Sequence, residues 1–92
     1  MKREWEMEQS VELEDGRSLG LDYWLLTDQT CWGESFGIAV TDSAGGEEII
    51  RHITTRRDTA RRLLERMAKG TVTPVTAMDI VSDYLAELGD GA

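Results

Sequence analysis

The hydrophobic period of this chain changes once. From Glu4 to Thr54 apolar residues recur mainly at every second position, and beyond Thr55 they recur at intervals of three and four. A period of two sends alternate side chains to opposite faces of a strand, whereas a period near 3.6 gathers them on one side of a helix. The chain is therefore expected to build its strands first and its helices afterwards, as an α+β domain.

The first segment alternates strictly. Trp5, Met7, Val11 and Leu13 share one phase, and Glu4, Glu6, Glu8 and Glu12 share the other. A second run from Ser18 to Asp28 carries Leu19, Leu21, Tyr23 and Leu25 in one phase and Trp24 and Leu26 in the other. A two-residue Asp15-Gly16 turn would set Glu8 against Tyr23 and Glu12 against Leu19, mixing the faces. A three-residue loop, Glu14 to Gly16 with Gly16 left-handed, pairs Val11 with Leu19, Met7 with Tyr23 and Trp5 with Leu25. All apolar partners then share one face, so the longer loop is the expected one.

After a polar loop with Asp28, Gln29 and Thr30, a third strand is expected from Glu34 to Thr41, with Phe36, Ile38 and Val40 in phase. Gly37 and Ala39 keep its other face thin, so that a neighbouring backbone or helix can approach. A turn over Asp42 to Gly46 leads to a fourth strand from Glu48 to Thr54. Thr55-Arg56-Arg57-Asp58 has the form of a capping box, and Ala60, Leu63, Leu64 and Met67 follow at helical spacing until Gly70. Thr73-Pro74 is read as the cap and first position of a second helix, striped by Ala77, Met78, Val81, Leu85 and Leu88. The prediction is a single domain over residues 1–92: a four-stranded antiparallel meander followed by two helices on one face, in the order ββββαα. The helices are expected against Trp5, Met7, Val11, Leu19, Leu21, Tyr23 and Leu25, and residues 89–92 as a loose tail.

Charge divides the chain into three blocks. Residues 1–48 hold 12 acids and 3 bases, residues 49–70 hold 2 acids and 7 bases, and residues 71–92 hold 4 acids and no base, for a net charge of −8. Such blocks can satisfy one another within one fold, and net acidity opposes indiscriminate attachment to nucleic acid or anionic membrane. One Cys and one His, Cys31 and His52, give no disulfide and no nucleophile–base pair that spacing would bring together. No cofactor or metal is expected, because neither a calcium-loop spacing nor a phosphate-loop Lys-Ser or Lys-Thr is present. With no signal-peptide pattern and no long apolar run, a cytoplasmic location is expected.

Two surfaces stand out as candidates. Trp24 and Leu26, on the hairpin face that carries Glu4, Glu6 and Glu8, form an aromatic anchor ringed by carboxylates, which suits a non-enzymatic acidic protein-interaction module, an adaptor or inhibitor. The competing reading is a nucleic-acid-binding regulator that grips phosphates with Arg57, Arg61, Arg62 and Arg66 of the helix spanning 56–69. Against it, Asp79, Asp83 and Glu87 offer the second helix an acidic band in register with those arginines. A third reading uses the glutamates to imitate a phosphate run, as phage-type inhibitors of nucleic-acid enzymes do. Homodimerisation through an edge strand or the Trp24 face is a fourth.

The residues Ser35-Phe36-Gly37-Ile38, Thr55 to Asp58, Val72-Thr73-Pro74 and Asp79-Ile80-Val81-Ser82-Asp83-Tyr84-Leu85 together carry a resemblance. Over residues 20 to 88 the chain resembles a small bacterial, clostridial-type family of unknown function. The resemblance implies a shared fold and a bacterial or phage origin, and it supplies no catalytic residues. Thr76-Ala77 stands here where that pattern has His-Leu.

Overall fold

The computed structural model describes residues 1–89, with side chains through Glu87. Strands β1 (Lys2–Glu12), β2 (Ser18–Thr30), β3 (Gly33–Asp42) and β4 (Glu47–Thr54) form one antiparallel sheet in the order β1-β2-β3-β4, followed by helices α1 (Arg57–Lys69) and α2 (Ala77–Gly89). This is the expected α+β meander in the order ββββαα. Asp28 to Thr30, expected in a loop, continue β2 instead. The turn to β3 contains only Cys31 and Trp32, because Thr30 pairs with Gly33. Of the tail expected over 89–92, Gly89 belongs to α2 instead, and residues 90–92 lie outside the described residues.

The first hairpin closes on the three-residue loop. Leu13 N–H donates to the Arg17 carbonyl at 2.7 Å, Gly16 has a left-handed φ of 86°, and Val11 opposes Leu19 and Met7 opposes Tyr23. Beyond Met7 the register departs from expectation. Glu6 is an extra residue in β1, so Trp5 faces Trp24 rather than Leu25, and Glu4 takes the place opposite Leu25. A one-residue bulge reverses the side on which everything before it points. Trp5 consequently leaves the face on which it was expected and is 52% exposed on the other.

A second irregularity lies between β3 and β4. Phe36 pairs with Thr54 and Ile38 with Ile50, so Arg51, His52 and Ile53 together oppose Gly37. A Cβ on Gly37 would strike the Ile50 carbonyl oxygen and lie 2.8 Å from Arg51 Cα, which is why this position carries none. His52 turns the chain with a left-handed φ of 57°.

Both helices cover the same face. Leu21, Tyr23, Leu25, Phe36, Ile38, Val40 and Ile50 of the sheet meet Ala60, Leu63, Leu64, Met67 and Ala68 of α1 and Ala77 and Val81 of α2. Tyr23 is wholly buried, and its hydroxyl donates to the Val72 carbonyl at 2.8 Å, tying the central strand to the link between the helices. The helix boundaries differ from the sequence reading. The N-cap of α1 is Arg56 in extended backbone with no side-chain cap, so Thr55 and Asp58 do not close the expected box; Asp58 lies in the first turn, where a negative charge opposes the helix dipole. Gly70 has a right-handed φ of −87°, and Thr71 takes the left-handed position at φ 47°. Val72 N–H then bonds the Met67 carbonyl at 3.0 Å and Thr71 N–H bonds that of Ala68 at 3.1 Å, a Schellman closure with threonine where glycine is usual. Pro74 is buried in a turn ahead of α2, and the link between the helices is longer than the three residues expected.

Two outcomes follow from these contacts. Thr71→Gly relieves a β-branched residue of a left-handed backbone and should raise stability by roughly 0.5–1 kcal/mol in urea unfolding; a loss would show that the Thr71 side chain stabilises the link. Burial raises the Tyr23 phenol from 10.0 to about 12. Its stabilising contribution is whole below the unfolded value and is lost as pH rises through the folded one, so wild type should lose stability between those two values more steeply than Tyr23→Phe.

Candidate functional site

The face that the helices leave open is organised in rows that cross all four strands. Strand register aligns Trp5, Trp24, Ala39 and Ile49 into one apolar row, and Glu8, Asp22, Thr41 and Glu47 into a polar row beside it. On the other side of the apolar row stand Arg3, Leu26 and Gly37. Trp5 and Ile49, at the two ends, are 52% and 37% exposed, while Ala39 and Leu26 are fully buried. Both indoles reach from the apolar row into the acidic one. Trp5 Nε1 donates to Asp22 Oδ1 at 3.0 Å, and Trp24 Nε1 donates to Thr41 Oγ1 at 3.0 Å.

Arg3 crosses over the middle of this face. Its guanidinium carbon lies 4.3 Å from the Trp24 ring centroid, and its Nη1 donates to Glu47 Oε2 at 3.3 Å. Arg3 stands opposite Leu26 in register, and Leu26 is fully buried although no helix covers this face. Leu26 is thus not an exposed anchor, and Trp24 is half-buried. Glu8 is exposed on this face as expected, but Glu4 and Glu6 are not part of it. The β1 bulge turns both toward α1, where Glu4 pairs with Arg57 at 3.2 Å and Glu6 with Arg61 at 3.5 Å. Lys2 first, and Arg57 with it, hold the Glu4 carboxyl below its ordinary range.

The arginine helix is largely occupied by the chain itself. Arg66 forms a two-pronged bond with Glu87 at 2.7 and 3.0 Å, which lowers the Glu87 carboxyl, and its guanidinium lies 5.5 Å from the Tyr84 ring. Of the four candidate phosphate contacts, Arg57 and Arg61 therefore face β1 and Arg66 faces α2. Arg62 stays outward, with Arg56, Arg57, Asp58 and Thr59 around an open depression of about 380 Å³.

Comparison with known families assigns the chain. DUF6514, a family of unknown function, matches residues 2–87. The chain belongs to that family. The match takes in the first hairpin, beyond the span over which the sequence resemblance was noted. No curated protein and no solved structure matches.

In this DUF6514 domain a second polar cluster sits toward the Cys31 end of the open face. Asp28, its side chain nearly buried, receives Arg51 Nε at 3.0 Å and Nη2 at 2.7 Å. His52 Nδ1 is 3.1 Å from Ser35 Oγ, and His52 Nε2 is 3.9 Å from Asp28 Oδ2. Serine, histidine and aspartate are brought together, yet they make no hydrogen-bonded relay: the carboxylate is held by Arg51, and the imidazole lies beyond hydrogen-bond reach of it. Cys31, considered as a partner for His52, is exposed in the β2–β3 turn beside Trp32, itself 93% exposed.

Sequence reasoning missed Trp5, Arg3, Asp22, Thr41, Glu47 and Ile49. Only a register could reveal them, since Arg3, Asp22 and Glu47 look like ordinary surface charges in isolation. The Asp28 cluster supplies its own check. The Arg51 hydrogen bonds hold Asp28 below its ordinary 3.8, so its contribution is whole above that value and is lost as pH falls through the folded one. Asp28→Asn should lower stability at neutral pH and flatten its fall as pH drops through and below the ordinary carboxylate range in urea unfolding; parallel acid limbs would show that the Arg51 bonds do not stabilise the fold.

Proposed function

We propose that this domain is a non-enzymatic protein-interaction module, an adaptor or inhibitor, that receives its partner on the open sheet face. The observation that supports the reading is the row Trp5–Trp24–Ala39–Ile49, flanked by Glu8, Asp22 and Glu47 and covered by neither helix. Aromatic anchors with a polar rim are the usual composition of a binding hot spot. The acidic row and the net charge of −8 suit a partner surface that is apolar and basic. The reading sets the domain in a bacterial cytoplasm, where the exposed Cys31 thiol is compatible with a reducing environment. Phosphate gripping has less support, because Arg57, Arg61 and Arg66 already hold carboxylates. Mimicry of a phosphate run is weakened in the same way, since Glu4 and Glu6 are engaged by arginines.

The test is affinity capture from host lysate, nuclease-treated and untreated, with the wild-type domain, with Trp5→Ala plus Ile49→Asp, and with Arg62→Glu. Both residues of the first variant are partly exposed, so far-UV circular dichroism should remain native. A protein recovered at near-stoichiometric yield with wild type and Arg62→Glu, and lost with the open-face variant, is the expected result. Equal recovery with all three would overturn the reading, and material that vanishes with nuclease and with Arg62→Glu would replace it with nucleic-acid binding.

A further inference from the structure

We infer that the open face is built to take an arginine side chain from its partner, and that Arg3 fills this place in the free protein. The inference rests on the interaction reading above and names the chemistry of that same surface. Three features define the place. The Trp24 ring, oriented by its bond to Thr41 Oγ1, gives an aromatic face; Glu47, on the far edge strand, gives a carboxylate; and Leu26 beneath gives an apolar floor. A planar guanidinium uses all three at once, stacking on the ring, pairing with the carboxylate and laying its stem along the floor. Arg3 already makes the first two contacts, with its guanidinium carbon 4.3 Å from the ring centroid and its Nη1 3.3 Å from Glu47 Oε2, and stands opposite Leu26 in register.

The hold on Arg3 is weak by construction. Its partner Glu47 is 47% exposed and Arg3 itself 31%, so the pair is screened by solvent, and a long side chain is confined in a single arrangement to make it. An incoming arginine would make the same contacts while the backbone that carries it gains Trp5 and Ile49 at the two ends of the row. Arg3 is in this sense a self-ligand that covers the site until a better one arrives.

The experiment follows the three indole N–H signals by ¹H–¹⁵N NMR while a synthetic acetyl-Gly-Val-Arg-Val-Gly amide, or its counterpart with Gln for Arg, is added to wild type and to Arg3→Gln. The arginine peptide should shift the Trp5 and Trp24 signals and leave that of Trp32, and removal of the competing side chain should tighten its binding roughly tenfold. The glutamine peptide should bind neither protein. Arg3→Met, which keeps a long apolar stem opposite Leu26 and lacks the cation, serves if Arg3→Gln does not fold and should change affinity in the same direction. Unchanged affinity on replacing Arg3, or no shift at Trp5 and Trp24 with either peptide, overturns the inference. Equal binding of both peptides at Trp5 and Trp24 overturns it too, but leaves the open face as an interaction surface, which the capture experiment judges separately.

Discussion

One extra residue in the first strand decides how this domain divides its charges between two faces. With Glu6 inserted between the positions opposite Trp24 and Tyr23, Glu4 and Glu6 turn to Arg57 and Arg61, while Arg3 and Trp5 turn to the open side. Without the bulge, Trp5 would lie against α1 and the two glutamates beside Trp24. The apolar row would then lose its exposed end, and Arg57 and Arg61 would lose their carboxylates. The helix layer and the open face are thus specified together by a single departure from alternation.

The energy of the fold resides elsewhere. Leu21, Tyr23, Leu25, Ile38, Leu63, Leu64 and Met67 are fully or almost fully removed from water, and burial of each such side chain stabilises by about 1.5–3 kcal/mol before conformational entropy is set against it. The arginine–carboxylate pairs on the surface contribute on the order of 0–1 kcal/mol each. Their effect is on orientation: Arg57 and Arg61 align α1 with β1, and Arg66 with Glu87 holds the later turns of α2 to α1. Glu8 on the open face and Asp79 and Asp83 on α2 are exposed, so this acidity is displayed rather than buried.

The fold was legible because hydrophobic period is a property of long segments. Four alternating runs and two helical ones suffice for the element order, and phase alone selected the three-residue loop of the first hairpin. The site was legible only in part. Trp24 and Glu8 keep the face expected of them, Trp24 because β2 itself carries no bulge and Glu8 because it follows the bulge in β1, where the expected register holds. Trp5, Glu4 and Glu6 were misplaced because Glu4-Trp5-Glu6-Met7 alternates without interruption, and a bulge stabilised by contacts with a helix more than fifty residues away leaves no mark on local sequence. Arg57 and Arg61 were expected to meet the acidic band of α2 for a similar reason. Helical spacing shows which side chains share a face but not which element that face meets. Alternation places Leu26 on the open face but does not show what packs against it there.

The same bulge bears on how the molecule coexists with its own copies. β1 is an edge strand of 11 residues, and among the described residues no strand lies beside its outer N–H and C=O groups. A long regular edge is a template on which a further strand can grow into a fibril. Here the ladder is broken at Glu6, and the opposite edge is broken where His52 turns left-handed in β4. Neither margin offers an uninterrupted ladder to a strand from another molecule. Irregularities of this kind oppose growth by edge addition at either end of a sheet.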